Sequence, residues 1–208
     1  MLLDFTTMDR RTAYFWMAST IAPRPVAWVS SQDAQGRTNL APYSFFQMIT
    51  PQPPTLMICP QQNSDGSLKD TARNIRDSGE FVVSLVPFAL VDAMNATSFA
   101  FDTGTSEFER VGVTSAASHL VKPPRVQGAP MSFECRLSSF TLHPAESPSC
   151  VIVLGEVVAA HADPSIVGSD GIIDPAKLDL VSRLGADWYG RTNSAANFRL
   201  ERPAGWAR

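Results

Sequence analysis

Apolar positions recur along the chain with two different periods. Residues 9–18 follow a helical spacing that ends at Pro23-Arg24-Pro25, because proline lacks an amide hydrogen and restricts the residue before it. Residues 26–31 form a β-rich apolar run. Asp33-Ala34-Gln35-Gly36 then reads as a hairpin turn, with Gly36 free to take positive φ, and 37–41 as the returning strand. An aromatic stretch, 43–49, leads to a turn at Pro51-Gln52-Pro53-Pro54 and a strand over 55–59. After a polar loop, 60–66, Ser67 is the expected N-cap of a short helix whose face is Leu68, Ala72 and Ile75. Asp70 stands three residues on, as in a capping box, and Gly79 is the stop. A strand over 80–86 and a helix from Pro87 to about Thr97 follow, then a loop over 99–112 that has room for one helical turn, and a Pro-rich connector over 121–130. The long β-like stretches 132–143 and 150–162 are expected to pair antiparallel across the loop 144–149, and a last helix is expected over 177–184, before Gly185. This inventory of six or seven strands with short helices predicts a mainly β fold, a barrel with peripheral helices, as one domain over 1–208.

Composition narrows the function classes. With 208 residues, 44% of them hydrophobic, the chain is long and apolar enough to build a core without a disulfide or metal staple. Its 17 Lys and Arg against 20 Asp and Glu give no basic excess for general nucleic-acid binding. The apolar stretches 81–91 and 151–160 are too short to span a bilayer, so no membrane partner is expected. Met1-Leu2-Leu3-Asp4 has no secretory pattern, and Cys59, Cys135 and Cys150 read as reduced thiols; both point to a cytoplasmic protein. Rossmann, P-loop, nucleophile-elbow and zinc-protease motifs are all missing, and His119, His143 and His161 are scattered, so no metal site is expected.

Three segments remain as candidate chemistry. In Ser67-Leu68-Lys69-Asp70-Thr71-Ala72-Arg73-Asn74-Ile75 the apolar face turns inward and leaves Lys69 and Arg73 one turn apart. First-turn amides flanked by cations hold anions, and Thr71 offers a hydroxyl; the same pattern also describes an ordinary surface helix. Asn39-Leu40-Ala41-Pro42-Tyr43-Ser44-Phe45-Phe46 gathers aromatic and small polar residues around a proline, either as walls for a flat heteroaromatic ligand or as a kinked core strand. In Trp28-Val29-Ser30-Ser31 the two serines end a strand whose tryptophan belongs in the core.

Taken in order, these segments and several others resemble the flavin reductase-like, FMN-binding split-barrel family. The likeness runs through Pro23-Arg24-Pro25-Val26-Ala27-Trp28-Val29-Ser30, the 39–46 segment, Lys69-Asp70-Thr71-Ala72-Arg73-Asn74-Ile75 and Gly79-Glu80-Phe81-Val82-Val83-Ser84-Leu85-Val86. It continues through Phe133-Glu134-Cys135-Arg136-Leu137, Gly155-Glu156-Val157-Val158 and Ser182-Arg183-Leu184-Gly185-Ala186-Asp187-Trp188-Tyr189. The resemblance implies an FMN-binding split β-barrel that forms homodimers. It implies that Lys69, Asp70 and Thr71, with Asn74 or Arg73, surround the FMN phosphate, Asp70 acting through the helix cap. It places Asn39, Ala41, Pro42, Tyr43 and Ser44 along the ribityl chain and ring, with further contacts from Val29, Ser30 and Ser31, and brings Trp188 or Tyr189 to the flavin. His161, at the end of the Gly-Glu-Val strand, is the candidate to meet the flavin or nicotinamide edge.

The function implied is an FMN-dependent oxidoreductase, an NAD(P)H:flavin reductase that takes hydride from NADH or NADPH and serves free flavin or a monooxygenase or electron-transfer partner. One departure keeps an alternative open. Where dedicated reductases of the family carry Gly-Asp-His, this chain has Ser147-Pro148-Ser149-Cys150, and its extended 163–208 segment is more like the flavoredoxin-type branch. That alternative is an FMN electron carrier reduced by a protein partner, without a pyridine-nucleotide site.

Overall fold

The structure, a computed structural model, describes residues 1–203 and 205. In chain order its elements begin with α1 (Arg10–Thr20), β1 (Arg24–Pro25), β2 (Ala27–Gln32), β3 (Thr38–Tyr43), β4 (Phe46–Pro51) and β5 (Pro54–Ile58). Next come α2 (Asp70–Ser78), β6 (Glu80–Leu85), α3 (Val91–Ala96), α4 (Glu107–Val111), β7 (Ser115–Ala116) and β8 (Arg125–Val126). The last are β9 (Met131–His143), β10 (Cys150–Ala162), α5 (Pro175–Leu178), β11 (Val181–Gly185) and β12 (Trp188–Arg191).

The main sheet has seven strands in the order β3-β2-β6-β9-β10-β5-β4. Its two edge strands, β3 and β4, are consecutive in the chain with only Ser44 and Phe45 between them. The three steps from Tyr43 to Phe46 reach no more than about 11 Å, so the sheet must curl until its edges come close at that end. β3 and β4 share no ladder there, which leaves the barrel split along this seam. A smaller sheet, β1-β11-β12, stands beside it.

β2 is buried on both faces, which explains why it reads as a continuous apolar run rather than an alternating one. Ala27 and Val29 face the barrel interior with Ile58, Phe81, Val83, Val151 and Val153, where Ala72 and Ile75 of α2 join them. Val26 and Trp28 face a second core with Leu40, Met94, Phe108 and Val126, and the Trp28 indole donates to Thr97 Oγ1 at 2.9 Å. The hairpin at Asp33–Gly36 forms as its sequence requires, with Gly36 at φ +82° and its amide bonded to the Asp33 carbonyl. The long pair β9–β10 is antiparallel throughout, with register shifts near Gly155 and Ala159.

Two expectations are corrected. Ser67 does not cap α2: its amide and hydroxyl both donate to Asp65, at 2.9 and 2.6 Å, and the helix starts at Asp70 with Lys69 as an N-cap that makes no side-chain bond. The helix expected over 177–184 is the short α5 followed by a strand. Asp179 breaks the helix at φ +46°, and the next residues gain more by pairing with β1 and β12 than a lone, largely exposed helix would offer.

Candidate functional site

The start of α2 and the length of β3 form the walls of one cleft. It measures roughly 230 Å3 and is lined by Asn39, Ala41, Pro42 and Tyr43 from β3, by Lys69, Asp70 and Thr71 from α2, and by the loop from Thr97 to Thr103. Because Ser67 is engaged elsewhere and Lys69 makes no side-chain cap, the first-turn amides of α2 lack a side-chain acceptor at the cleft. The Lys69 ammonium has no carboxylate partner among the described residues, since the ion pairs there involve other groups. Amides, a free cation and the Thr71 hydroxyl thus converge on one wall, and together they suit a dianionic group.

Asp70 is drawn away from that wall. It pairs with Arg73 at 2.8 Å and accepts from the Thr103 hydroxyl at 3.3 Å and the Gly104 amide at 3.2 Å. Its work is therefore to clasp the 99–104 loop to α2, not to cap the helix through Ser67. That loop carries Phe99 and Phe101, whose ring centroids are 4.8 Å apart.

Thr71 is buried and its hydroxyl accepts from the Asn39 amide nitrogen at 2.7 Å, which ties β3 to α2. Burial pushes the Tyr43 phenol well above its ordinary pKa; the Thr71 hydroxyl opposes that shift, while Glu107 and Asp70 add to it. Sequence reasoning missed Glu107. It is buried at the start of α4, lines the cleft, and accepts the Leu40 amide at 2.7 Å. Burial raises its carboxyl above the usual range, against the pull of the Leu40 amide. The need for it was visible only once β3 was known to be an edge strand with outward amides to satisfy.

A second cleft of roughly 340 Å3 adjoins the first at Pro42 and Ser98 and is lined by Ser44, Asn95, Arg183, Asp187 and Tyr189. Each cleft lies at or near the lower end of the volumes that hold drug-sized ligands, about 300–1,000 Å3. Their shared residues set the two side by side along the β3 edge.

The remaining expected residues stand outside these walls. Val29 packs into the barrel core. The Ser30 hydroxyl donates to the Pro124 carbonyl. Ser31 accepts from Asn74 at 3.2 Å, both buried behind the cleft. Trp188 is 73% exposed and lines neither cleft. His161 is bonded to the buried Glu134 at 2.5 Å, and the amides of His119 and Leu120 each reach the same carboxylate at 2.6 Å. It anchors the 119–121 loop rather than lining the groove.

Residues 17–171 match the family model described as the flavin reductase like domain. An uncharacterized protein of Aquifex aeolicus is 34% identical over 87% of this chain and 90% of its own length. Component B of nitrilotriacetate monooxygenase from Bacillus cereus superposes with a TM-score of 0.90 at 30% identity, over 96% of this chain and 98% of that one. A 2-nitrobenzoate 2-nitroreductase from Pseudomonas fluorescens does so with a TM-score of 0.85 at 27% identity, over 100% and 99%.

Proposed function

The chain belongs to the family of flavin reductase-like domains, and from that premise we propose that it is an FMN-dependent oxidoreductase of the NAD(P)H:flavin reductase type. The observation that carries this reading is the free Lys69 beside the side-chain-uncapped start of α2, opening into the same groove as β3. Lys69, Thr71 and the first-turn amides hold the phosphate. Asn39, Ala41 and Pro42 run beside the ribityl chain, and Ser44 and Tyr189 border the ring. From Asn39 to Ser44 the strand covers roughly 17 Å, a span suited to an extended phosphate, polyol and ring. Bound FMN supplies hydride and electron-transfer chemistry; the chain supplies placement and shelter. Phe99 and Phe101, on the loop that the Asp70 clasp ties to α2, line the phosphate end of the groove.

Two neighbours support the wider setting. One is named as a monooxygenase component and the other as a nitroreductase, which fits a protein that hands electrons to a separate oxygenase or to an organic acceptor. Exposed apolar side chains on α1 (Phe15, Met17) and on β4 (Met48, Ile49) support a homodimer. The absence of Gly-Asp-His at 147–150 favours a second reading, an FMN electron carrier reduced by a protein.

One experiment tests both the site and the reductant. FMN is titrated into the protein and into Lys69→Ala, and each loaded form then receives NADH or NADPH without oxygen. Loss of the charge-assisted contact should weaken FMN binding by about 1.5–3 kcal/mol, and nucleotide should bleach the flavin bands of the wild type. Equal affinities would move the phosphate elsewhere, and bands that stay oxidised at saturating nucleotide would favour the electron carrier.

A further inference from the structure

The second cleft differs from the first in its charge. Arg183 projects from β11 with its guanidinium carbon 4.6 Å from the centroid of the Tyr189 ring, and the Ala186 carbonyl accepts one of its N–H groups. No carboxylate among the described residues forms an ion pair with it, although Asp187 lines the same cleft. Close by is Arg24, buried, whose Nη1 donates to the carbonyls of Ala18, Ile21 and Leu184, and which also has no carboxylate partner among those residues.

The two arginines have different tasks. Arg24 sits against carbonyls at the C-terminal end of α1, where a cation is favoured, and those carbonyls occupy its Nη1 donors. Its charge remains, and its Nε lies 3.5 Å from the Ser44 hydroxyl at the mouth of the cleft. Burial lowers its pKa; Tyr14 opposes this and nearby Arg183 reinforces it. Arg183, by contrast, keeps most of its planar fork for a ligand. Of the two, Arg183 is the one that lines the cleft, where it is not ion-paired to Asp187 and stands beside the side chains of Ser44, Asn95 and Ser98. A guanidinium set over an aromatic ring offers its edge to a planar oxyanion with two acceptor oxygens.

We propose that Arg183 is the recognition residue of a second-substrate site in this cleft, and that the substrate taken there presents a carboxylate or phosphate oxyanion to it. The inference rests on the placement of FMN along β3, because the same cleft then borders the ring end where an exchanging molecule must approach. The group that Arg183 holds is distinct from the phosphate at Lys69, which lies at the opposite end of the groove.

Calorimetric titration tests this with benzoate, inorganic phosphate and the neutral benzamide, each added to FMN-loaded protein. The expected result is saturable binding of at least one oxyanion and none of benzamide. Arg183→Gln should weaken the oxyanion about ten-fold or more, and Arg183→Lys, with the charge but not the fork, should fall between. FMN affinity, measured on the same preparations, should stay within about two-fold because Arg183 does not reach the phosphate end. Equal binding of benzoate and benzamide, no oxyanion binding at all, or oxyanion binding untouched by Arg183→Gln would each overturn the proposal. Failure of the wild type to take up FMN would instead overturn the flavin placement, and the same titrations on flavin-free protein would still decide whether Arg183 binds an oxyanion.

Discussion

Glu107 and Glu134 are both buried carboxylates, yet their surroundings drive them in opposite directions. Burial dominates at Glu107 and raises its pKa. Burial also acts on Glu134, but the amides of His119 and Leu120 and the ring of His161 outweigh it and hold the carboxyl below its usual range. The consequences for stability have opposite signs. The folded chain releases the Glu134 proton more readily than the unfolded chain, so its contribution is complete above the ordinary carboxylate pKa and is lost as pH falls through the lowered one. At Glu107 the folded chain holds the proton longer, so stability declines as pH rises from the ordinary value through the raised one. Thermal melts between about pH 4 and 8 should therefore show Glu134→Gln least stable, relative to wild type, at the neutral end. Glu107→Gln keeps an acceptor for the Leu40 amide and should be relatively more stable at neutral pH, with the gain vanishing in acid. Parallel pH profiles for both variants and wild type would refute this assignment.

Within the elements, the long β9–β10 pair depends on a residue that lacks a side chain. A Cβ on Gly155 would stand 2.3 Å from Phe81 Cζ and 3.1 Å from Cys135 Cβ, inside the barrel core. Gly155 lies at a register shift, where the strand bends to let Phe81 fill the interior. Gly155→Ala should destabilise the protein by about 1–3 kcal/mol through overpacking, read as a lower urea midpoint at unchanged slope; an unchanged midpoint would show that the strand can move aside. Elements with strong local signals were legible in the sequence: the Asp33–Gly36 turn, the helix ended by Gly79, and the two long strands around 144–149. The segment 177–184 was not, because its leucines and charges suit a helix locally and only pairing with the distant β1 makes it a strand. The start of α2 was misplaced for a similar reason: Asp65 takes the Ser67 amide that a capping box would direct to Asp70, and Asn63 donates to the Ser67 hydroxyl oxygen that a cap would offer to the helix amides.

At the scale of the whole molecule, the clefts lie along β3 between the start of α2, the 97–103 loop and the β11–β12 hairpin, and the exposed faces elsewhere bear on assembly. The apolar side chains exposed on α1 and β4 predict a dimer, with twice the 22.6 kDa chain mass by sedimentation equilibrium. Met48→Asp should shift that equilibrium toward the monomer, and a wild type sedimenting as one chain would rule the dimer out.

The sequence by itself determined what neighbouring residues decide together: turn and helix stops, the alternating and continuous apolar runs, and the Lys69-Asp70-Thr71 and Asn39–Ser44 segments that line the two clefts. Tertiary structure alone decided which side chains remain free to bind. Ser30, Ser31 and Asn74 are spent on buried partners, His161 is bound to Glu134, and Asp70 is drawn to Arg73 and the 103–104 loop. It also decided that Glu107 and Arg183 reach the groove, the first through an edge strand with amides to satisfy and the second through a strand that had looked helical. The physical reason is the same throughout: a hydrogen-bonding group serves a ligand only with the donors or acceptors that partners within the fold leave unused, and several of those partners are distant in sequence.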